Sequence, residues 1–167
     1  MEISDKQLYD YCYVFSNHLI TKFVRFGGKA QLDAGVKLLK EAKENQWDNK
    51  SLREALSYFK SASKLLKDES KVAAYLNACL CCYYLKDKEQ FLIYKKGLSE
   101  LVFPEETRKY IKDLGSDPTG FKTIFRIIKS LCTGTEYKNG TTLAKEAEDL
   151  FMDNKKKALE IIESLRL

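Results

Sequence analysis

Apolar residues recur at helical spacing along almost the whole of this 167-residue chain. The first segment shows the pattern in full, with Leu8, Cys12, Phe15, Leu19, Phe23 and Phe26 three or four positions apart. Only two prolines and eight glycines interrupt the chain, whereas an all-β fold needs many short turns. We find no segment with convincing strand alternation. The pattern predicts an all-α fold of about eight to nine helices.

Turn and capping residues place the helix ends. The first predicted helix ends near Gly27-Gly28. The next five cover about 30–45, 52–66, 70–85, 88–101 and 104–114, and they are followed by one from Phe121 and one or two after Thr142. Ser51 with Glu54 is interpreted as the capping box of the third helix. Asp87 breaks the fourth helix, and a threonine is expected to cap the helix after the polar stretch 133–142.

Charge and cysteine content point to an ordinary intracellular protein. The net charge of +5 comes from lysines spread among acidic residues rather than from one basic block. The five cysteines are odd in number, and no secretory signal is visible at the N-terminus, so we expect reduced thiols and a cytoplasmic location. No run of eighteen apolar residues exists, and we expect no membrane partner.

Two segments 35 residues apart resemble each other. The segment that begins at Glu54 and the one that begins at Glu89 each carry an aromatic residue and then a small residue three positions on. Phe59 and Ala62 in the first match Tyr94 and Gly97 in the second. A recurrence at this period is typical of stacked helical repeats.

These residues resemble the second helix of a tetratricopeptide repeat. The preceding helix agrees, because Tyr75, Asn77, Ala78 and Cys79 resemble the run in the family's first helix, and Asp87 resembles the acid of its inter-helix turn. The family's glycine before that acid is Lys86 here. The resemblance covers about 30–103 and implies stacked antiparallel hairpins. We therefore expect a single helical domain, 1–167, with an N-terminal helix (1–28), TPR-like hairpins (30–103) and a C-terminal helical cap (104–167).

The resemblance also implies a binding groove, because the family's first helices line a concave face. On that basis the partner-binding residues would be Asn77, Leu80, Tyr83 and Tyr84. Tyrosine suits an interface, since its ring is apolar and its hydroxyl is polar. The competing interpretation, weighted equally, is that the tyrosines pack between hairpins.

The candidate catalytic and metal-binding residues of the sequence give little support for an enzyme. Cys79 and Cys82 form a CxxC in the middle of an apolar helix, without a second ligand pair for zinc and away from the helix N-terminus that lowers a thiol pKa. His18 is the only histidine, and no nucleophile can be tied to it. We predict no enzyme activity, no catalytic residue, no metal and no cofactor.

The leading hypothesis is a non-enzymatic interaction or adaptor module. It would bind a peptide, a helix or a copy of itself through a helical-repeat groove, and the aromatic first helix is the expected contact in a homo-oligomer. The alternative is a nucleic-acid-associated helical protein with a dispersed basic surface, which predicts salt-sensitive binding.

Overall fold

The computed structural model describes residues 5–23, 27–116, 121–136 and 138–167, and within them all regular structure is helical. The eight α-helices are Asp5–Phe23 (α1), Lys29–Glu44 (α2), Asn49–Leu65 (α3), Val72–Leu85 (α4), Lys88–Ser99 (α5), Glu105–Ser116 (α6), Phe121–Thr133 (α7) and Gly140–Ser164 (α8). A 3-10 turn, Asp68–Ser70, precedes α4. The predicted all-α fold is confirmed, with eight helices and no strand in this part of the chain.

The chain divides into two compact units. The first comprises Met1–Val102 with Asn154–Leu167, and the second comprises Phe103–Asp153. Nothing tests the predicted grouping of the chain into one domain with the segments 1–28, 30–103 and 104–167. None of the described helices is both long enough and apolar enough to cross a bilayer.

Consecutive helices pack against each other from α2 to α5. Close approach is helped by glycine at two points, since a Cβ on Gly35 of α2 would lie 2.6 Å from the ring of Phe59 on α3. A Cβ on Gly97 of α5 would lie 2.8 Å from the ring of Tyr75 on α4. Whether these hairpins belong to the tetratricopeptide class stays a prediction.

Helix α4 lies at the centre of the first unit. It packs against α3, α5, α1 and α2, and its side chains are buried almost continuously from Val72 to Cys82. Its composition explains this position, because a helix that is apolar nearly all round must be covered on several sides.

Two of the predicted helix caps are wrong. Helix α3 begins earlier than expected, and its cap is Asp48, whose Oδ2 accepts a hydrogen bond from the Ser51 N–H at 2.9 Å. In α8 the capping side chain is Asn139, whose Oδ1 accepts from the Thr142 N–H at 2.9 Å. In both cases the oxygen of an Asx side chain accepts a hydrogen bond from the third amide beyond it, as a strong N-cap does.

The second unit is held partly by one arginine. Arg108 of α6 makes a two-pronged ion pair with Glu148 of α8, with nitrogen–oxygen distances of 3.0 and 2.8 Å. It also pairs with Glu105 on its own helix. In the same unit, the ring centroids of Phe103 and Phe151 are 6.0 Å apart and form an apolar contact.

Candidate partner-binding face

Helix α1 lies on the face of the hairpins formed mainly by α4 and partly by α2. One stripe of α1 is buried there, made of Leu8, Tyr9, Cys12, Ser16, Leu19 and Ile20. The three- and four-residue steps between them keep these side chains on one side of the helix. The apolar periodicity of the N-terminal segment thus serves to attach α1 to the hairpins.

A buried hydrogen bond fixes how α1 lies on α4. Asn77 Nδ2 donates to Ser16 Oγ at 2.9 Å and to the backbone oxygen of Ala73 at 2.8 Å, and both side chains are almost fully buried. A polar pair inside an apolar contact penalises any register that leaves one partner unsatisfied. Ser16 and Asn77 therefore determine the position of α1 along α4.

An aromatic cluster closes one end of this contact. We define it as Tyr9 and Tyr13 of α1, Trp47 of the α2–α3 loop, and Tyr83 and Tyr84 of α4. Trp47 stacks on Tyr84 with ring centroids 3.5 Å apart and planes within 6°. Tyr9 meets the Trp47 ring edge-on at 5.5 Å, so the indole joins α1 to α4. Such aromatic contacts contribute about 0.5–1.5 kcal/mol each beyond the area they bury.

The backbone conformation of the α2–α3 loop sets the orientation of the Trp47 indole. Gln46 and Trp47 both adopt left-handed backbone angles, with φ of 57° and 60°. The Trp47 N–H donates to the Ala42 backbone oxygen at 2.6 Å, which ties the loop to the last turn of α2. Left-handed backbone is costly for residues with a side chain, so the stacking on Tyr84 helps to offset this cost.

A charged pair borders the cluster. Lys43 of α2 pairs with Asp10 of α1 at 3.1 Å, and its Nζ lies 4.6 Å from the centre of the Tyr9 ring. Burial raises the pKa of Tyr9 well above its usual range, and the neighbouring Tyr13, Asp10 and Glu44 raise it further. Tyr9 therefore stays a neutral phenol throughout the physiological pH range.

The four residues predicted to bind a partner lie at or under this contact. Asn77, Leu80 and Tyr84 share one face of α4, since they are three and four positions apart. Asn77 and Leu80 are only 2% and 1% exposed, whereas Tyr83 and Tyr84 are half-buried in the aromatic cluster. The expectation of an open groove did not allow for α1, which already covers this face of α4.

The opposite side of α1 faces outwards. Tyr11, Val14 and His18 are exposed there, with Val14 68% accessible. This second face was not singled out from the sequence, although the spacing of Tyr11, Val14 and His18 places them together on the helix. The docked α1 therefore presents an aromatic and aliphatic stripe to the surroundings.

The five cysteines are free thiols. Cys12, Cys79, Cys81 and Cys82 are buried, and Cys132 of α7 is exposed. Burial raises the pKa of Cys12 and of Cys82 to about 12, and raises the pKa of Cys79 and Cys81 as well. The CxxC therefore consists of protonated packing residues rather than a reactive thiolate pair.

Trp47 is the residue that sequence reasoning missed. The predicted helices of about 30–45 and 52–66 leave it in a loop, and its role in joining α1 to α4 does not follow from local spacing. The available signal was its isolation, because the only tryptophan of the chain stands among polar residues where nothing local can cover it.

No protein-family model matches the chain, and searches of curated proteins and of solved structures found no significant match. Among the described residues, no group of three histidine, cysteine or acidic side chains is arranged to hold a metal ion.

Proposed function

We propose that the protein is a non-enzymatic interaction module of the cytoplasm. It binds an amphipathic helix on the face of α4 and α2 that α1 now covers. The observation that carries the proposal is the packing of α1 on this face. A helix from a separate part of the chain rests on this face through an apolar stripe, a buried polar pair and an aromatic edge, which are the elements of helix-in-groove recognition. The free thiols support a reducing compartment.

The partner would carry a helix of the same chemistry as α1. Its apolar stripe would replace Leu8, Cys12 and Leu19. A small hydroxyl residue would replace Ser16 and accept the hydrogen bond that Asn77 donates. An aromatic side chain would meet the edge of Trp47. We propose that α1 is the resident occupant and that a partner helix, or α1 of a second copy, competes with it for this face.

A labelled peptide of residues 5–23 tests whether the face accepts a helix from outside. The receptor is the full chain with Leu8→Asp and Leu19→Asp. These changes place two carboxylates in the buried apolar contact of α1, and they are designed to displace the resident helix. Fluorescence anisotropy should show the variant binding the peptide at least about tenfold more tightly than the unmodified chain, where the resident helix competes.

The matched control is Tyr11→Asp with Val14→Asp, which adds the same charges to the exposed side of α1. It should bind the peptide as weakly as the unmodified chain. A displaced-helix variant whose α2–α5 amides stay protected from hydrogen exchange and that yet binds no peptide would refute the proposal. A candidate partner then has to displace the labelled peptide in proportion to its own affinity.

The ion pairs of the protein do not favour the nucleic-acid alternative. Six lysines pair with acidic side chains in the described structure: Lys29, Lys43, Lys71, Lys95, Lys96 and Lys138. Basic groups interleaved with carboxylates form a poor track for phosphates.

A further inference from the structure

Helix α7 turns its apolar side outwards. Ile124, Phe125, Ile127, Ile128 and Leu131 are all exposed, and Leu131 is 79% accessible. The polar side chains of Arg126 and Ser130, on the other side of the helix, are half-buried. Exposure of this much contiguous apolar surface on one helix marks an interaction surface.

The positions on α7 form a sharply divided helix. At the helical repeat of 3.6 residues per turn, the five exposed apolar residues occupy an arc of roughly 160°. Lys129 lies next to one edge of that arc, whereas Arg126 lies opposite its centre. Cys132 lies within the arc near the same edge and is also exposed.

The charge of this segment is of one sign. Lys122, Arg126 and Lys129 fall within α7, and no Asp or Glu occurs from residue 118 to residue 135. Elsewhere the basic and acidic residues alternate, with 29 lysines and arginines against 24 acids in the whole chain. A purely cationic segment with a wide apolar face is the composition of a helix that lies in the interface of an anionic membrane.

A second copy of the protein fits this face less well. Pairing two α7 helices antiparallel through their apolar sides would bring both cationic edges to the same side of the pair. An anionic lipid surface instead places negative headgroups beside Lys129 while the acyl chains receive the apolar arc. Long cationic side chains can reach the headgroups from the flank of a partly inserted helix.

We infer that α7 is an interfacial helix that attaches the protein reversibly to membranes rich in anionic lipid, with Phe125, Ile128 and Leu131 entering the acyl boundary and Lys129 contacting the headgroups. Attachment of this kind needs no spanning helix, and it uses neither α1 nor the face beneath it.

Co-sedimentation of the full chain with vesicles tests the inference. Vesicles of phosphatidylcholine with about 30% phosphatidylserine should bind the chain, and pure phosphatidylcholine vesicles should bind it at least about tenfold more weakly. Replacing Ile128 and Leu131 by serine should abolish binding. Serine at Leu92 and Ile93, two apolar residues of α5 that are also at least half exposed, should leave it unchanged.

Charge variants separate the electrostatic part. Lys129→Gln should weaken binding about fivefold, which is what one cation near an anionic surface contributes. Lys40→Gln removes one lysine of α2 instead and should have no such effect. Equal losses in the two charge variants, or unchanged binding in the Ile128→Ser with Leu131→Ser variant, would overturn the assignment to α7.

Cys132 offers a direct reporter of insertion. It is the exposed thiol, so a polarity-sensitive dye can be attached to it selectively. The dye emission should shift to shorter wavelength with anionic vesicles and not with neutral ones. If light scattering instead shows that the unmodified chain is a dimer that the Ile128→Ser with Leu131→Ser variant breaks, and the dye does not respond to vesicles, the face is a protein interface and the inference is wrong.

Discussion

Lys86 shows how a single residue can depart from a pattern and still keep its geometry. It ends α4 in the left-handed conformation, with φ of 58° and ψ of 33°, and its N–H donates to the backbone oxygen of Tyr83. The tetratricopeptide resemblance predicted from the sequence would place a glycine here. The conformation is the one that glycine adopts at a helix end, so the position keeps the turn but bears a side-chain cost.

Lys86→Gly should therefore stabilise the protein. Relief of the left-handed strain gives about 1–2 kcal/mol, and the greater freedom of glycine in the unfolded chain removes about 0.5–1 of it. Urea unfolding should show a net gain of about 0.5–1 kcal/mol. Lys86→Ala is the control, because alanine keeps the strain. An equal gain with alanine would show that the lysine side chain, and not the backbone, is responsible.

Asp48 makes the start of α3 sensitive to acid. The hydrogen bonds from Ser51 lower the pKa of the Asp48 carboxyl below its ordinary value. A group with a lowered folded pKa contributes its stability above the unfolded pKa, near 3.9, and loses it as the pH falls through the folded value. Asp48→Asn keeps a capping oxygen but no charge.

The free energy of unfolding of the Asp48→Asn variant should thus lie below that of the unmodified chain at pH 6, and the gap should narrow below about pH 4. Urea unfolding at the two pH values measures it. Asp33→Asn serves as the control for a general charge effect, since Asp33 is an exposed carboxylate within α2. A gap that stays constant with pH would contradict the role of the ionised cap.

Among the elements, α2 and α3 illustrate how a missing side chain sets a packing distance. Gly35 is buried in the interior of α2 and leaves room for the fully buried ring of Phe59. Alanine is worth about 1 kcal/mol more than glycine in a helix interior, so glycine here has a steric reason. The two helices approach at this point because neither Cβ nor a larger group stands between them.

Gly35→Ala should destabilise the protein by about 1 kcal/mol in spite of its better helix propensity, because overpacking of a tight contact costs about 1–3 kcal/mol. Chemical denaturation measures the difference. In a Phe59→Leu background the same change should cost less, since the clashing ring is gone. An increase in stability on Gly35→Ala in the unmodified chain would show that α2 and α3 can separate freely.

The helical elements followed from sequence more readily than the site did. Periodic apolar residues, Asp87 and the Gly27-Gly28 pair report on their own neighbourhood, so helix existence and approximate ends could be predicted. Ser16 and Asn77 are 61 positions apart, and nothing local to either shows that they meet. The same holds for Trp47 and Tyr84, whose stacking depends on the turn of a loop.

For the whole molecule, the interpretation rests on α1 being an occupant of the hairpins rather than an integral part of their core. The hairpins α2–α5 pack more extensively on one another than α1 packs on any of them. A region with fewer contacts opens at a lower free energy than the core beneath it. The proposed exchange between α1 and a partner helix requires this difference, since a ligand can only replace what is able to leave.

Native-state hydrogen exchange of the full chain tests this claim most directly. The account predicts that amides of α1 between Tyr9 and Ile20 exchange through a local opening, at a free energy at least about 2 kcal/mol below that of the α4 amides. Leu8→Asp with Leu19→Asp should abolish protection in α1 and leave α3 and α4 protected. If α1 and α4 instead exchange together, at the same free energy and with the same dependence on denaturant, then α1 belongs to the core and the proposed helix-binding face does not exist.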